Sequence, residues 1–284
     1  MRLAARLSEL LDGTVRGIAD LGAAHGCSLH RAVLSDGRDV FVKAAVDRDE
    51  ALAAEARGLR WLAEPVPAAV APVLALGPGL LVLPWLAEAE PTAAAAERLG
   101  RDLAAVHADS PAAFGAPWDG WIARLPLDNT ETAPGSGTWA RWYGERRLAP
   151  FLPAAARHLR ADGVRLVEQV IARIEDLAGP DEPPARIHGD LWAGNIRWSA
   201  DRARLIDPAA HGGHRETDLA MAALFGTPHL DRMLAAYREV RPLADGAAER
   251  VPLHQLHPLL VHVVLFGPSY RERALAAATA ALAV

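Results

Sequence analysis

The fold class is decided by one stretch of the sequence, Ile187-His188-Gly189-Asp190-Leu191-Trp192-Ala193-Gly194-Asn195-Ile196. A short apolar segment follows this stretch and ends in Asp207. Two carboxylates and an amide oxygen are the ligand types that a magnesium ion takes from a protein. An alternative is that Asp190 and Asn195 only form turns around the two glycines. The residues indicate a site where a cation and a polar reactant meet.

The spacing of Asp190 and Asn195 equals that between the base and the metal-binding Asn of the protein-kinase catalytic loop. Phosphoryl transfer needs a carboxylate beside the attacking hydroxyl and a cation that neutralises the phosphates. Asp190 is therefore the predicted base, and Asn195 and Asp207 are the predicted ligands of Mg²⁺. His188 is predicted to support the loop rather than to carry the proton. The sequence thus predicts a kinase that uses ATP.

Lysine occurs once among the 30 basic residues, as Lys43. Two strands, Leu29 to Leu34 and Asp39 to Ala44, are predicted to form a hairpin around an Asp36-Gly37 turn. Lys43 then lies near the end of the second strand, where its amine can reach the phosphates of a nucleotide.

A helix predicted from Asp47 to Leu62 follows the hairpin. Its Glu55 can face the strand and pair with Lys43, as the helix glutamate and strand lysine do in protein kinases. The alternative for Glu55 is a place on a solvated helix face.

The turn before the hairpin, Leu21 to Ser28, is rich in small residues. Such a turn can bring backbone N–H groups close to phosphate oxygens. Gly22, Gly26 and Ser28 are therefore predicted to bind the nucleotide, although many glycine turns between strands have no ligand.

Two further strands are predicted, Val70 to Leu76 and Leu80 to Leu83, and the chain then leaves this region through Pro84, Trp85 and Leu86. Pro84 has no N–H group. Trp85 or Leu86 must therefore supply any backbone donor to an adenine ring.

The predicted architecture is α+β, with two lobes of the protein-kinase type. Residues 1–86 form a small nucleotide-binding lobe rich in strands, and residues 87–284 form a larger helical lobe for catalysis and substrate binding. The predicted helices of the second lobe are Thr92–His107, Thr138–Ala156, Val164–Leu177 and Thr217–Leu224, with others from Leu230 and from His254 onward.

Composition narrows the class of partner. The chain is 51% hydrophobic, enough for a large core, and carries a net charge of −5 without a basic run, which argues against nucleic acid. No apolar run approaches the ~18 residues that span a membrane, and the amino terminus lacks the apolar centre of an export signal. We expect a cytoplasmic protein with a small-molecule partner and no membrane contact.

The motifs HGDLWAGN at residues 188–195 and LIDPAAHGGHRETDLAMAALFG at residues 205–226 resemble the fructosamine kinase (ketosamine-3-kinase) family. This family belongs to the aminoglycoside-phosphotransferase-like kinases. The resemblance extends to DGRDVFVKAA, EARGLRWL, WIARLPLDNT, WARWYGERRLAPFL and LLVHVVLFGPSY. It therefore covers nearly the whole chain.

The resemblance implies ATP-dependent phosphorylation of the C3 hydroxyl in fructosamines, ribulosamines or related adducts, which releases the amine and repairs glycation. It gives Asp190 the role of base, and it implies that Trp192 borders the sugar, since an indole face can stack on C–H groups. The alternative for Trp192 is a place in the core. The amine carrier, a small metabolite or a protein lysine, is left open.

The sequence departs from the family pattern at two places. Ala23 and Ala24 replace consecutive glycines in the phosphate turn, and Pro84 stands where an acidic residue is common. Two other functions remain open: a related kinase for an aminoglycoside, choline or another sugar, and a pseudokinase that binds nucleotide without turnover.

Overall fold

A five-stranded antiparallel sheet forms the amino-terminal part of this computed structural model, which describes residues 2–45, 48–133, 137–199 and 201–284. The spatial order of its strands is β1-β2-β3-β5-β4. The strands are β1 (Val15–Ala24), β2 (Cys27–Leu34), β3 (Asp39–Ala44), β4 (Ala75–Gly77) and β5 (Leu80–Pro84). A helix α1 (Arg2–Leu10) precedes the sheet, and α2 (Asp49–Ala63) connects β3 to β4.

The predicted hairpin is confirmed, with Lys43 on β3 paired to Leu29 on β2. Helix α2 buries Leu52, Leu59 and Leu62 against the sheet, and its first turn carries two acidic residues, which stabilise the positive end of the helix dipole. The predicted start of this helix at Asp47 lies outside the described residues.

The predicted strand Val70 to Leu76 is wrong for most of its length, because only Ala75–Gly77 form a strand there. Pro72 has no N–H to contribute to a ladder. Val70 instead forms a parallel bridge with Leu205 of the second lobe, and the Ala71 N–H donates to the Leu205 carbonyl at 3.0 Å. This segment ties the two lobes together.

The second lobe is mainly helical. Its helices are α3 (Ala93–Ala108), α4 (Trp139–Tyr143), α5 (Leu152–Ala172), α6 (Ile174–Leu177), α7 (Arg215–Leu224), α8 (Leu230–Val240), α9 (Ala247–Phe266) and α10 (Arg271–Leu282). Thr92 caps α3 by accepting a bond from the Ala95 N–H, as its position in the sequence predicts.

The predicted break between Ala156 and Val164 is present as a kink at Arg160, where φ of 62° and ψ of 174° are not helical, so α5 consists of two helical segments. Residues 144–151 join α4 to α5 through π and 3-10 turns. None of the described helices combines the length and hydropathy needed to cross a membrane.

Short antiparallel strand pairs lie where the second lobe meets the first. These are β6 (Gly120–Ile122) with β7 (Leu125–Leu127), β8 (Ala185–Ile187) with β11 (His211–Gly213), and β9 (Ile196–Trp198) with β10 (Ala203–Leu205). The loop after β8 and the loop after β10 carry the motif residues. The strand pairs therefore fix the positions of these loops.

Candidate active site

Asp190, Asn195 and Asp207 come together where β8, β9 and β10 end or begin. The Asn195 side-chain amide donates to the Asp190 carboxylate and to the Asp190 carbonyl, both at 2.9 Å. The Ile206 N–H donates to the Asn195 carbonyl at 3.0 Å, which places Asp207 beside the loop. Asp207 has φ of 54°, a left-handed conformation that is uncommon for a residue with a side chain.

The Asp190 carboxyl is the titratable group at the centre of this arrangement. Burial raises its pKa to about 7, the bond from Asn195 opposes the rise, and the negative charge of Asp218 adds to it. A carboxyl with a pKa near neutrality suits proton acceptance at physiological pH.

Lys43 reaches the same place from the first lobe. Its ammonium donates to both oxygens of Glu55, at 2.9 and 2.8 Å, so the predicted pairing is present. It also forms an ion pair with Asp207. The side chains of Lys43 and Glu55 are only 12% and 13% exposed, so the pair is held largely out of water.

A cavity of about 520 Å³ between the lobes contains these groups. Its lining includes Lys43, Glu55, Asp190, Asn195 and Asp207 together with apolar side chains from β2, β3 and β5. The cavity has the mixed character of a site for a small ligand, with an apolar wall and a few convergent polar groups.

The cavity wall at the exit from β5 consists of Leu83, Pro84, Trp85 and Leu86. The Trp85 N–H already donates to the Asp39 carbonyl at 2.9 Å. The sequence left Trp85 and Leu86 as the two candidates for a backbone donor to adenine. The Trp85 N–H is already engaged and is therefore not that donor. The Leu86 N–H makes no hydrogen bond within the described part of the chain, and it becomes the candidate.

Gly22, Gly26 and Ser28 do not line the cavity. His25 and Gly26, both with positive φ, form a tight two-residue turn between β1 and β2. Gly22 lies within β1, and its N–H donates to the Asp20 side chain. Ser28 faces the opposite side of the sheet from Cys27, because successive side chains of a strand alternate. Its hydroxyl donates to the Ala44 carbonyl, and nucleotide binding by Ser28 stays a prediction.

Trp192 lines the cavity and is 40% exposed. The alternative of a core tryptophan is therefore wrong. Its ring lies over Gly194, where an added Cβ would come within 2.3 Å of the indole. Glycine at position 194 thus allows the indole to lie flat beside the catalytic loop.

Asp218 is a supporting residue to which sequence reasoning assigned no partner. Its carboxylate accepts from the His188 N–H at 2.6 Å, from the Gly189 N–H at 2.9 Å and from His107 Nε2 at 3.1 Å. Burial favours a raised pKa, but the His107 bond and the neighbouring charges outweigh it and lower the pKa of Asp218. The acidic first turn of α7 was the only sequence signal for this role.

His188 supports the loop, as predicted from the sequence. Its Nε2 lies 2.9 Å from the Ile206 carbonyl, and its Nδ1 accepts from the Asp190 N–H at 3.2 Å. Burial lowers the pKa of this imidazole, which keeps it neutral. The ring therefore links the loop that carries Asp190 to the segment that carries Asp207.

Arg48 is a cavity residue that the sequence did not single out. It lies just before α2, donates to the Ala123 carbonyl at 2.9 Å and stacks 5.3 Å from the Trp121 ring centroid. It thus connects the first lobe to the β6–β7 hairpin.

Known proteins resemble this chain along its full length. A family model described as fructosamine kinase matches residues 2–283. A crystal structure from Thermobifida fusca, provisionally named a fructosamine-3-kinase, is 50% identical, covers 99% of each chain and has a TM-score of 0.94. A probable ketoamine kinase of Thermus thermophilus is 37% identical over 248 residues, which are 87% of this chain and 88% of that one.

The chloroplastic protein-ribulosamine 3-kinase of Arabidopsis thaliana is 33% identical over 187 residues, 62% of this chain and 54% of its own length. A spectinomycin phosphotransferase solved with ADP and spectinomycin is 13% identical, with a TM-score of 0.62 over 100% of this chain and 98% of that one. At this identity the likeness concerns the fold alone. The predicted α+β fold with two kinase-type lobes is confirmed, while the boundary between residues 86 and 87 stays a prediction.

Proposed function

The chain belongs to the fructosamine kinase family, and from this premise we propose that it phosphorylates the C3 hydroxyl of ketosamines with ATP. One observation carries the proposal: Asp190, Asn195, Asp207 and Lys43 converge in one cavity between the lobes. The names of the relatives, ketoamine kinase and protein-ribulosamine 3-kinase, support the substrate class.

In the proposed reaction, Asp190 orients the sugar hydroxyl and accepts its proton. The hydroxyl oxygen forms a bond to the terminal phosphorus of ATP, the bond between that phosphorus and the bridging oxygen breaks, and ADP leaves. Asn195 holds the Asp190 carboxylate in place through its amide N–H.

The donor set of the cavity fits Mg²⁺. The Asn195 amide nitrogen faces Asp190, which leaves its side-chain oxygen available, and the Asp207 carboxylate supplies an anionic oxygen. Magnesium prefers such oxygen ligands and commonly takes one or two carboxylates together with phosphate oxygens. Asn195 and Asp207 would hold the ion, which when bound neutralises charge on the phosphates.

Nucleotide binding is assigned to the first lobe. Lys43, positioned by Glu55, would contact the phosphates, and the Leu86 N–H would donate to adenine. The backbone N–H groups at Gly22 and Gly26 stay predicted phosphate contacts, and the cytoplasmic location stays a prediction from the sequence. Trp192 would border the sugar because it is exposed beside Asp190.

The test is ATP consumption with Mg²⁺ and four acceptors: ribulose-lysine, fructose-lysine, an aminoglycoside and choline. We expect turnover of a ketosamine, reduced by about 10²–10⁴-fold in Asp190→Asn, the range typical of a lost general base. ATP affinity of the variant, measured by calorimetry, should stay close to that of the wild type.

Each other outcome has a distinct meaning. Turnover of only the aminoglycoside or choline would replace the substrate class and keep the mechanism. Nucleotide binding without turnover of any acceptor would indicate a pseudokinase and contradict the proposed function.

A further inference from the structure

One cation of the cavity lining bridges the two lobes beside the β1–β2 turn. Arg48 immediately precedes α2, and a Cβ added at Gly26 would lie 3.1 Å from the Cδ atom of Arg48. Its Nη2 donates to the Ala123 carbonyl at 2.9 Å, and its guanidinium carbon lies 5.3 Å from the Trp121 ring centroid. Arg48 therefore covers the tip of the turn and holds it against the β6–β7 hairpin.

The positive charge of Arg48 is not neutralised within the described part of the chain. Its one hydrogen bond there goes to an uncharged carbonyl. By contrast, Lys43 pairs with two carboxylates, and Arg197, the other arginine of the cavity lining, lies 3.4 Å from Glu88. A guanidinium has five N–H donors, and its planar edge suits phosphate oxygens. Arg48 thus has charge and donors left for an anion in the cavity.

Positive charges surround the β1–β2 turn. His25 lines the cavity at the tip of this turn. Burial lowers the pKa of this imidazole, and the positive charges of Lys43, Arg48 and Arg124 lower it further. Lys43 and Arg48 therefore both act on the tip of the turn. This end of the cavity favours an anion, and the phosphates of a nucleotide are the anions that the proposed function brings there.

The turn itself offers few backbone donors to phosphate. Ala24 pairs with Cys27 in the ladder of β1 and β2, so only His25 and Gly26 lie beyond the last pair of strand residues. A longer turn rich in glycine can surround phosphate oxygens with several backbone N–H groups. A two-residue turn has at most two, so further donors must come from side chains.

We propose that Arg48 is a phosphate-binding residue that contacts the terminal phosphate of ATP. This inference rests on the proposed function and adds a residue to its nucleotide site. Arg48 is the unpaired cation of the cavity lining, and its bond to Ala123 places it against the second lobe, which also carries Asp190. The phosphate that is transferred to the acceptor must approach that lobe. Lys43 then serves the inner phosphates and Arg48 the outer one.

The experiment compares two nucleotides that differ only in the terminal phosphate. ATP and ADP are titrated by calorimetry, with Mg²⁺ and without an acceptor, into the wild type and Arg48→Gln. We expect Arg48→Gln to bind ATP about tenfold more weakly, the effect of one charge-assisted hydrogen bond, and to bind ADP like the wild type. An equal loss for both nucleotides would show that Arg48 only holds the turn, and no loss for either would show that it contacts no phosphate. Each of these two results would overturn the inference.

Two further variants separate the charge of Arg48 from a general effect. Arg48→Lys keeps the positive charge and should recover part of the affinity for ATP. If it bound ATP as weakly as Arg48→Gln does, a phosphate contact would be contradicted. Arg57→Gln, at an exposed position of α2, is the matched control and should bind both nucleotides like the wild type. A loss of ATP affinity in Arg57→Gln equal to that in Arg48→Gln would also overturn the specific role of Arg48.

The titration contains no acceptor, so its result does not depend on which hydroxyl compound the enzyme phosphorylates. A wild type that binds ATP but phosphorylates no ketosamine would contradict the proposed function and leave the role of Arg48 intact. A wild type that phosphorylates a ketosamine, with unchanged ATP affinity in Arg48→Gln, would contradict the inference alone. The two failures are therefore distinguishable.

Discussion

Lys43 is held by two carboxylates at once, Glu55 on α2 and Asp207 after β10. The three side chains together carry a formal charge of −1, although the proposed ligand of Lys43 is itself a polyanion. Phosphates can approach only if Asp207 is neutralised by another cation. The residue geometry therefore argues that nucleotide and divalent cation bind together.

We expect ATP to bind at least tenfold more weakly after removal of divalent cations, because Asp207 then repels the phosphates and competes for Lys43. Calorimetric titration with ATP in Mg²⁺ and in EDTA measures this difference. Asp207→Asn should reduce the dependence on Mg²⁺. Equal affinity in both buffers would contradict the assignment of Asp207.

Glu55→Gln should raise the KM for ATP by about tenfold, which corresponds to the loss of one charge-assisted contact. The neutral amide holds Lys43 less firmly, so the ammonium shifts towards Asp207. Steady-state kinetics at varied ATP provide the measurement. Glu50→Gln, in the exposed first turn of the same helix, is the control and should leave the KM for ATP unchanged. An equal rise in the KM for ATP in both variants would argue against a specific role of Glu55.

Much of the site could be predicted from the sequence, because Asp190, Asn195 and Asp207 lie within 18 residues of one another and their spacing reflects a single loop and hairpin. The pair of Lys43 and Glu55 is also local. Asp218 and Arg48 could not be assigned partners, because their contacts depend on how distant elements pack. Spacing along the chain contains no information on such contacts.

At the scale of elements, α7 positions the catalytic loop from behind. Asp218, in its first turns, accepts two backbone N–H groups of the loop, and its third partner, His107, belongs to α3. His107 in turn contacts the Tyr237 hydroxyl of α8 at 2.9 Å. Three helices thus hold the backbone that carries Asp190.

Asp218→Asn should lower kcat by at least tenfold and leave the affinity for ATP within about twofold of the wild type. The amide places N–H donors where the carboxylate accepts, so the loop shifts although the nucleotide site in the first lobe is intact. Loss of a buried charged partner also predicts a destabilisation of about 3–5 kcal/mol. Kinetics and urea unfolding measure the two effects.

Asp231→Asn, in the first turn of α8, is the matched control, because this aspartate is exposed. It should change neither kcat nor stability appreciably. An Asp218→Asn protein with normal kcat would show that the loop keeps its position without this carboxylate.

Element boundaries show where local patterns mislead. The apolar residues from Val70 onward suit a strand, but Val70 and Ala71 pair with Leu205 of the other lobe instead of with the sheet. Pairing with a distant segment of the chain therefore decided the structure at Val70 and Ala71.

At the scale of the whole molecule, the large lobe buries several histidines in an apolar interior. His211, His214 and His257 are each at most 5% exposed. Burial is the main cause that lowers the pKa of these histidines well below 6.5. The positive charge of Arg147 lowers the pKa of His211 and His257 further. The neighbouring His254 lowers the pKa of His214 further. The folded protein therefore keeps these three rings neutral at mildly acidic pH.

This burial predicts how stability depends on pH. Below pH 6.5 the three histidines bind protons in the unfolded chain only, so their contribution to stability is complete above 6.5 and is lost as the pH falls. Asp190 acts in the opposite direction.

The pKa of Asp190 is raised to about 7 in the folded protein, whereas in the unfolded chain it is ~3.8. Between these two pH values, Asp190 therefore carries a proton mainly in the folded protein. This adds about 2 kcal/mol of stability at pH 5.5. We therefore expect urea unfolding to show that Asp190 partly offsets the loss of stability of the wild type between pH 7.5 and 5.5. Asp190→Asn removes this offset and should lose about 2 kcal/mol more than the wild type over the same pH range. If the two proteins lost equal stability, the pKa of Asp190 would not be raised; if neither lost any, the buried histidines would not stay neutral.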